Sequence, residues 1–438
     1  MKNLPHIIVV GGGAGGLELV TRLGDKLGKH GKARITLVDS VLTHVWKPLL
    51  HEVAAGSLDS NANEINYRAH ARKHHYEFQL GSMGGLDREA QEIILEPFVN
   101  EDTGEELVPA RRLRYDRLVI SVGSTANDFG TPGAKEHCLF LDSLAQARRF
   151  HNLLLNAFLR KNYCDQDHRE LAITIIGAGA TGVELAAELR LASRELPVYG
   201  MSNLRSKDIT ITVIEAAPRI LPALPERLSA AATRELEHQR VKVITGSAVK
   251  EICDGSLRLG EGEQEQILSS DMTIWAAGIK APGFLAELDG LETNRSNQLV
   301  TEQTLQTTRD PNIYAFGDCA ACPQPDSDRP VPPRAQAAHQ QASALYKTLI
   351  NWLEDKEPVP FVYHDHGSLI NFSRYTTVGN LMGNLSGRSM YIEGRVARLF
   401  YASLYRMHQK ALHGVLRTGI LWLMDRISRA LQPRLKLH

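Results

Sequence analysis

The sequence predicts a doubly wound α/β fold in which two glycine-rich βαβ units are nested, followed by a C-terminal region of amphipathic helices. Three observations predict this arrangement. Apolar strands flank a glycine-rich segment near residue 11, the same pattern returns near residue 177, and the C-terminal residues combine apolar and basic side chains at helical spacing. The 438 residues, 43% of them hydrophobic, suffice for two or three folded domains.

Charge and cysteine content limit the partners and the compartment. Lys plus Arg and Asp plus Glu both number 50, so no net field favours nucleic acid. The first residues lack the charged, apolar and small-residue sections of a signal peptide, and five cysteines are too few for a disulfide scaffold. We therefore expect a chain on the cytoplasmic side, with no nucleic-acid partner and no metal site.

The first βαβ unit occupies residues 6–39 and has the spacing of a dinucleotide site. In its Gly-x-Gly-x-x-Gly pattern, Gly11 permits a tight turn, Gly13 lets the backbone approach a pyrophosphate, and Gly16 lets the helix pack closely on the strand. The positive end of the helix then faces the phosphates. Asp39 ends the second strand, where an acidic side chain accepts hydrogen bonds from a ribose.

A second unit with the same order of strand, glycines and helix spans residues 171–215, which implies a second dinucleotide. Glu215 ends its second strand, and its carboxylate would repel a 2′-phosphate, so NADH is favoured over NADPH. Arg219, nearby in the sequence, weakens that preference. The glycines of this motif are Gly177, Gly179 and Gly182.

Three further segments are similar to motifs of the flavoproteins that carry two dinucleotide domains. Residues 308–318 resemble the distal FAD motif of that family, in which a threonine is followed by a strand that ends in Gly-Asp. The resemblance implies that Asp318 binds the ribityl and phosphate portion of FAD. Residues 118–124 and 273–278 resemble the short connecting motifs of the same family. The resemblance implies that the glycines of these two motifs, Gly123 and Gly278, are also cofactor-binding residues.

The sequence disfavours a disulfide reductase. Many flavoproteins of this kind place a redox-active cysteine pair shortly after the first βαβ unit, whereas residues 40–56 contain no cysteine. Cys319 and Cys322 have redox or metal-ligand spacing, but a zinc site would need a second ligand pair at a suitable distance. We interpret both as ordinary thiols near the flavin.

Residues 332–340 carry the most discriminating pattern of the chain. Gln336 and Gln340 are four residues apart, hence on one face of a helix, and each can donate to a quinone carbonyl without adding a charge. Their Ala-Gln-x-Ala-x-Gln pattern resembles that of the type II NADH:quinone oxidoreductases, in the bacterial membrane-associated form. Those enzymes are FAD-dependent members of the pyridine nucleotide-disulfide oxidoreductase superfamily. On spacing alone, the glutamines could also form the polar face of a surface helix.

The resemblance covers essentially the whole chain and implies further roles. It gives FAD to the first glycine motif and NADH to the second, and it places Gln336 and Gln340 in a quinone pocket beside the flavin. Glu184 matches a family glutamate near the nicotinamide and quinone sites, although a favourable charge at a helix N-terminus also explains it. His366 stands where some family members have a lysine, so its role is open.

The implied reaction is hydride transfer from nicotinamide C4 to flavin N5, followed by two-electron reduction of a membrane quinone such as ubiquinone. It belongs to respiratory electron transport, and without a membrane-spanning segment it would pump no protons. The predicted domains are an FAD-binding domain at 1–125 and 296–345, an NADH-binding domain at 126–295, and a membrane-docking C-terminal region at 346–438.

Several histidines near the first unit show no metal-ligand spacing, and we expect most of them to be solvated. They are His44, His51, His70, His74 and His75. Neither a Gly-x-Ser-x-Gly elbow nor a Walker phosphate loop occurs, so hydrolase and nucleotide-triphosphatase functions have no motif to support them.

The C-terminal residues from Arg388 onward contain ten Lys or Arg and two acidic residues. The longest apolar run, 420–424, is far shorter than the roughly 20 residues that span a bilayer. An apolar stripe with basic neighbours and Trp422 predicts helices that lie on an anionic membrane, on the cytoplasmic face of the inner membrane. A hairpin packed on the protein body or on a second subunit of a homodimer is the alternative. The stripe comprises Leu416, Ile420, Leu423, Ile427 and Leu431, with Phe400, Leu404, Met407 and Ala411 before it.

Two other functions are compatible with parts of the sequence. A sulfide:quinone oxidoreductase would use cysteines such as Cys138, Cys164 and Cys319 and would need no NADH. A flavin-bearing redox sensor would bind NADH and report its level through a partner without turnover. Sulfide-dependent flavin reduction would identify the first function, and negligible turnover with every quinone would favour the second.

Overall fold

The computed structural model describes residues 4–60, 64–100, 103–164, 170–260, 265–325, 327–372, 376–382, 389–431 and 435–436. Arg388 and Arg434, which the sequence counts among the basic residues of the tail, lie outside this part of the chain. The helices are α1 (Ala14–Leu23), α2 (Leu50–Ala55), α3 (Tyr67–Lys73), α4 (Ala134–His137), α5 (Leu144–Cys164), α6 (Ala180–Glu195), α7 (Glu226–His238), α8 (Ala335–Leu353), α9 (Gly394–His413) and α10 (Val415–Leu431).

Two central sheets organise these residues. Their strands are β1 (His6–Val10), β2 (Arg34–Asp39), β3 (Glu77–Leu80), β4 (Arg117–Ile120), β5 (Cys138–Phe140), β6 (Leu171–Ile176), β7 (Ile209–Ile214), β8 (Val241–Ile244), β9 (Met272–Trp275), β10 (Gln306–Thr307) and β11 (Asp310–Ala315). The chain divides into two compact units. The first is Met1–Trp46, Asn63–Thr125 and Lys280–Asp365, and the second is Lys47–Ala62, Ala126–Ile279 and His366–His438.

The central sheet of the first unit has the strand order β10-β11-β4-β1-β2-β3. All neighbours are parallel except β10 and β11. The central strands β1 and β4 are largely apolar on both faces, as expected of a parallel sheet covered on both sides, and Ile7 to Val10 are buried. Because the order reverses at β1, the crevice at its carboxyl end is where a doubly wound sheet binds its ligand.

Smaller strand pairs and a second layer complete the first unit. Met83, Leu95 and Leu118 belong to one apolar core between the central sheet and an antiparallel sheet. That antiparallel sheet contains Met83–Asp87, Glu92–Leu95 and Arg111–Arg114. The short pairs are Thr43–His44 with Ile65–Asn66, Phe98–Val99 with Glu106–Val108, and Leu299–Val300 with Ala320–Ala321.

The central sheet of the second unit has the order β5-β9-β6-β7-β8, with all neighbours parallel. Its order reverses at β6, which is followed by the second glycine motif. Helix α2 packs against α5 and α6. The further strands are Val249–Cys253, Ser256–Leu259, Gln266–Ser269, Gly367–Phe372, Thr376–Met382 and Ser389–Glu393.

The doubly wound α/β fold with two nested glycine-rich units is confirmed, as are the C-terminal helices α9 and α10. The unit limits differ from the limits that the sequence placed at 295 and 345, since the first unit resumes at Lys280 and continues to Asp365. Ala281 and Leu285 explain the earlier start, because both are fully buried in the core of the first unit. Within the described part of the chain, every helix is either too short or too polar to span a lipid bilayer.

Candidate functional site

The first glycine motif forms a tight turn between β1 and α1. Gly11 has a φ of 98° and donates its N–H to the carbonyl of Val38 at 2.8 Å. A Cβ at Gly11 would overlap the carbonyl of Ser121, and a Cβ at Gly16 would overlap the carbonyl oxygen of Gly11. The packing of the protein therefore requires glycine at both positions.

The packing that requires glycine at positions 11 and 16 does not explain Gly13. It precedes α1 with a φ of −62°, a value that any residue adopts. No heavy atom lies within 4 Å of the position that its Cβ would take. Neither backbone strain nor packing of the described residues therefore requires glycine, whereas a ligand at the positive end of α1 would. This open cradle fits the pyrophosphate of a dinucleotide.

The Asp39 carboxylate at the end of β2 fixes the glycine turn. Its Oδ2 accepts the N–H of Gly12 at 2.6 Å, and its Oδ1 accepts the N–H of Val41 at 3.0 Å. The carbonyl oxygen of Gly12 accepts the Tyr67 hydroxyl at 2.7 Å and lies 2.9 Å from Nδ1 of His44. Burial lowers the pKa of His44 to about 4, so its imidazole is neutral and Nδ1 carries the donated proton. Both ends of the Gly12 peptide are thereby held.

Asp318 lies in the turn that follows β11. Its Oδ2 accepts the Ser124 hydroxyl at 2.8 Å, which joins the segments after β4 and β11. Gly123 has a φ of 73° and no heavy atom within 4 Å of its Cβ position. The N–H of Gly317 donates to Oε1 of Gln341 at 2.9 Å. Since β1, β4 and β11 are parallel, these residues lie at the same sheet edge as the first glycine motif.

Gln336 and Gln340 share one face of α8, and both bond to the segment that ends the first unit. Gln340 forms a reciprocal pair with His364, donating to its carbonyl at 2.8 Å and accepting its N–H at 3.0 Å. Gln336 donates to Oδ1 of Asp365 at 3.2 Å, and Arg334 donates to Oδ2 of the same carboxylate at 3.0 Å. The glutamines therefore fix their own chain, a role that the sequence did not predict.

A hydrogen bond between side chains of α8 and α1 was also not predicted from the sequence. Nδ1 of His339 lies 2.5 Å from Oε2 of Glu18, a buried side chain of α1. This hydrogen bond raises the pKa of His339, against the opposing effect of burial. The pair joins the glycine-motif helix to the glutamine helix. The available signals were an acidic residue inside an apolar helix and a histidine beside Gln340.

The second glycine motif repeats the first in the second unit. Gly177 has a φ of 100° and donates to the carbonyl of Ile214 at 2.8 Å. A Cβ at Gly177 would overlap the backbone of Ala277, and a Cβ at Gly182 would overlap the carbonyl oxygen of Gly177. Gly179 has a φ of −72° and no heavy atom within 4 Å of its Cβ position. This unit therefore has its own open cradle.

Glu215 holds the second motif as Asp39 holds the first. Its Oε2 accepts the N–H of Ala178 at 2.9 Å, and its Oε1 accepts the N–H of Ala217 at 2.9 Å. Arg219 donates to backbone carbonyls of the following turn, including that of Leu224 at 2.8 Å. Because these bonds engage its guanidinium, Arg219 is less able to attract a 2′-phosphate and so to weaken the preference for NADH.

Gly278 follows β9 at the same sheet edge as the second motif. It has a φ of 68°, which favours glycine. A Cβ at this position would overlap the ring of Phe129, and the Gly278 carbonyl accepts the N–H of Asn127 at 3.2 Å. The structure thus brings Gly278 beside Gly177 through the intervening Ala277.

Glu184 lies in the first turns of α6 and is buried. Its Oε1 accepts the N–H of Asn371 at 2.9 Å, and its Oε2 lies 3.9 Å from Nδ1 of His51. Burial lowers the pKa of His51 to about 4, so the two side chains do not form an ion pair at neutral pH. Nε2 of His51 is buried with no hydrogen-bond partner among the described residues. This imidazole is a candidate functional group that the sequence analysis missed.

The expectation that most of the five histidines are solvated is wrong. His44, His51, His70 and His74 are each 8% exposed or less, and only His75 of the five is exposed. The rings of His70 and His74 stack with centroids 4.3 Å apart. Each of these four imidazoles is packed among other side chains, and isolated histidines carry no periodic signal of such packing.

Cys319 and Cys322 are buried free thiols. Cys319 donates to the carbonyl of Phe316 at 3.3 Å, and Cys322 lies 3.5 Å from the carbonyl of Pro323. Burial raises the pKa of Cys319 to about 12 and that of Cys322 to about 11. Neither forms a thiolate readily near neutral pH, which agrees with the interpretation of the pair as ordinary thiols.

Helix α10 exposes a continuous set of large apolar side chains. Leu416 is 79% exposed and Leu431 is 80% exposed, so these ends of the stripe are not packed on the rest of the chain. Arg406 of α9 bonds to Asp425 at 2.6 Å, which joins the two helices. The exposed residues are Val415, Leu416, Ile420, Leu421, Trp422, Leu423, Met424, Ile427 and Leu431.

Residues 5–342 match the pyridine nucleotide-disulphide oxidoreductase family. The chain is 44% identical to a type II NADH:quinone oxidoreductase of Haemophilus influenzae, and the similarity covers 100% of both chains. Both findings agree with two dinucleotide-binding units in one chain.

Two solved structures are similar in fold. The structure of NDH2 from Plasmodium falciparum in complex with NADH has a TM-score of 0.84 at 18% identity, covering 99% of this chain and 100% of that one. The sulfide:quinone oxidoreductase of Aquifex aeolicus has a TM-score of 0.71 at 17% identity, covering 98% and 95%. At these identities the similarity concerns the fold alone.

Proposed function

The chain belongs to the pyridine nucleotide-disulphide oxidoreductase family and, within it, to the type II NADH:quinone oxidoreductases, and on that premise we propose that it oxidises NADH and reduces a membrane quinone with the help of bound FAD. The balanced reaction converts NADH, one proton and quinone into NAD+ and quinol. The observation that carries the proposal is the open glycine cradle in each unit, at Gly13 and at Gly179. Two cradles fit two dinucleotides.

We assign FAD to the first unit. When bound, FAD supplies a two-electron carrier, a chemistry that amino-acid side chains lack. The open position at Gly13 lets the pyrophosphate approach the positive end of α1. A carboxylate has roughly four acceptor positions. Asp39 accepts the backbone N–H groups of Gly12 and Val41, and we propose that it also accepts a ribose hydroxyl. Asp318 is proposed to bind the ribityl portion from the same sheet edge.

We assign NADH to the second unit. Gly179 leaves the same space at the start of α6, and Glu215 presents a carboxylate at the end of β7. A 2′-phosphate beside that carboxylate would be repelled, so NADH should be preferred over NADPH. Glu184 and His51 form a buried pair in the same unit. Because the reaction consumes one proton, we propose Glu184 as a group that holds a proton during turnover.

Gln336 and Gln340 are the proposed quinone-binding residues. A carboxamide nitrogen carries two N–H groups, so the bond from Gln340 to the carbonyl of His364 leaves a second N–H for a quinone oxygen. The internal bonds also hold both side chains in one orientation, which lowers the entropy lost when a quinone binds. A neutral donor pair binds a neutral quinone without the cost of burying a charge.

We further propose that α10 docks on a membrane. Its exposed apolar side chains would enter the interface between headgroups and acyl chains, where Trp422 is also favoured. Arg417 and Arg426 are exposed beside them and can meet anionic lipid. A quinone dissolved in lipid would then be reached from the membrane surface, on the cytoplasmic face. Homodimerisation through the same helix is the competing use of this surface.

Anaerobic stopped-flow spectroscopy of the flavin-loaded protein tests the proposed reaction. NADH should bleach the flavin rapidly, and a ubiquinone analogue should then restore its absorbance. Bleaching without reoxidation would contradict the quinone assignment and would favour the sensor function. Sulfide in place of NADH should leave the flavin oxidised, because Cys138 and Cys319 are buried thiols whose pKa values burial raises to about 12.

A further inference from the structure

Phe129 combines two features that are unfavourable for an aromatic residue. Its backbone has a φ of 52°, in the left-handed region that bulky side chains rarely adopt. Its side chain is also 67% exposed, so burial of the ring does not offset this backbone strain. An exposed, strained aromatic residue is a candidate for ligand contact, since such conformations concentrate at binding sites.

The strained conformation is held by the neighbouring residues. The N–H of Phe129 donates to Oδ1 of Asn127 at 3.0 Å, and the N–H of Asn127 donates to the carbonyl of Gly278 at 3.2 Å. Nε1 of Trp275 donates to the carbonyl of Asn127 at 2.9 Å. The ring of Phe129 occupies the space that a Cβ at Gly278 would need. The ring is therefore fixed against the segment that follows β9.

The position of this segment identifies which part of a dinucleotide would meet the ring. Strand β6 lies between β7 and β9, and the nucleotide crosses the crevice at its carboxyl end. Glu215 at the end of β7 marks the side of the adenosine ribose. The nicotinamide half must then extend toward β9, where Ala277 contacts Gly177 and Phe129 covers Gly278.

We propose that the exposed ring of Phe129 stacks against the nicotinamide half of NADH and is an NADH-binding residue of the second unit. The inference deepens the proposed function and rests on it. Stacking between an aromatic side chain and a planar heterocycle is favourable and tolerates small shifts of either ring. Preorganisation by Asn127 and Trp275 would lower the entropy lost on binding.

The test measures binding by calorimetry of the oxidised, flavin-loaded protein with NAD+ and with ADP-ribose, which lacks the nicotinamide ring. Phe129→Gly removes the ring and relieves the left-handed strain, so its melting temperature should be no lower than that of Phe129→Leu. Its dissociation constant for NAD+ should rise about tenfold, the effect of losing one aromatic stack. Its affinity for ADP-ribose should not change.

Two further variants and a matched control make the result specific. Phe129→Trp should bind NAD+ as the wild type does, whereas Phe129→Leu should resemble Phe129→Gly because it lacks a π face. Tyr163→Ala removes an aromatic side chain that is 71% exposed on α5, away from the sheet edge, and should bind both ligands normally. Equal weakening of NAD+ and ADP-ribose, or no weakening, would overturn the inference. Wild-type protein that binds neither ligand would overturn the proposed function with it.

Discussion

Asp39 accepts the backbone N–H of Gly12 at 2.6 Å, and the second unit repeats this bond where Glu215 accepts the N–H of Ala178 at 2.9 Å. In each unit, an acidic side chain at the end of the second strand holds the second residue of a glycine motif. The proposed ribose acceptor and the glycine cradle are therefore parts of one hydrogen-bonded structure. Because each unit has its own copy, the two nucleotide sites can be perturbed separately.

Substitution of Gly179 by alanine should abolish NADH binding without affecting folding. Its φ of −72° suits alanine, and no heavy atom lies within 4 Å of the new Cβ. A methyl group in the open cradle would displace the pyrophosphate from the start of α6. We expect wild-type FAD content and melting temperature, and loss of flavin bleaching by NADH at concentrations that saturate the wild type.

Gly419→Ala is the matched control for this change. Gly419 belongs to the same unit and also has no heavy atom within 4 Å of its Cβ position. It lies inside α10, where alanine is the better helix former. This variant should be bleached by NADH normally. Normal bleaching of Gly179→Ala would show that NADH does not approach the second cradle.

Substitution of Glu215 by glutamine should reduce discrimination against NADPH. The amide oxygen can still accept one backbone N–H, but the negative charge that repels a 2′-phosphate is removed. The ratio of kcat/KM for NADH to that for NADPH should fall about tenfold, corresponding to ~1.4 kcal/mol. Asp271→Asn is the control, because Asp271 accepts the N–H of Ala172 at the opposite end of β6. An unchanged ratio in Glu215→Gln would assign the selectivity to other groups.

The sequence predicted both βαβ units, because their strands are continuous apolar runs and their glycines follow immediately. Gly11 and Gly177 could be assigned to tight turns by spacing alone, and both have φ values near 100°. Helix α6, which follows the second glycine motif, begins at Ala180, a boundary that the glycine spacing did not specify. Helix boundaries are the least determined part of such a prediction, because a single turn is too short to show a periodic pattern.

Long-range packing set the features that the sequence could not predict. Residues 47–62 lie between two strands of the first unit in sequence but belong to the second unit in space. This displacement brings His51 to Glu184, 133 residues away along the chain. Neither histidine burial nor the strained backbone of Phe129 leaves a pattern in the sequence, because each depends on neighbours from other segments.

Protonation of His44 should lower the free energy of unfolding of the first unit at acidic pH. Its pKa in the folded protein is about 4, against an unfolded value near 6.5. Between these values the unfolded chain binds more protons, so stability is full above pH 6.5 and is lost as the pH falls toward 4. His44 alone should lower the free energy of unfolding by about 2 kcal/mol between pH 8 and pH 5.

His44→Asn tests this pH dependence by urea unfolding at both pH values. The asparagine amide can donate to the carbonyl of Gly12 but does not titrate. The variant should lose less stability than the wild type between pH 8 and pH 5. His75→Asn, at an exposed position, should retain the wild-type dependence. If wild type and His44→Asn lose the same free energy of unfolding between pH 8 and pH 5, this imidazole is not the titrating group.

Removal of the Gln340 carboxamide should weaken quinone binding and leave NADH oxidation intact. Gln340→Ala loses the proposed donor and both bonds to His364. One lost hydrogen bond corresponds to roughly a threefold to tenfold increase in the KM for a ubiquinone analogue. The rate of flavin bleaching by NADH should not change. Asn351→Ala, which removes a bond to Glu357 near the other end of α8, should leave both steps unaffected. A slower bleaching step in Gln340→Ala would contradict a role confined to quinone.

Acidic substitutions on α10 should release the protein from lipid. Ile420 and Leu423 are both about half exposed on this helix, and burying one such side chain contributes about 1.5 to 3 kcal/mol. Ile420→Glu with Leu423→Glu should therefore lower the affinity for phosphatidylglycerol vesicles at least tenfold in cosedimentation. Turnover with a water-soluble quinone analogue should stay at the wild-type level, because the glutamines and both glycine cradles are unchanged.

The control for this pair of substitutions is Val198→Glu with Ile267→Glu, which alters two exposed apolar side chains of the same unit outside α10. It adds the same charge, so it should reproduce any general repulsion from anionic vesicles but not the loss of apolar insertion. Sedimentation equilibrium of both double variants distinguishes membrane docking through α10 from homodimerisation through the same helix. If the α10 variant changes from dimer to monomer and binds vesicles normally, then the apolar face of this helix joins two subunits, and lipid contact must come from elsewhere on the chain.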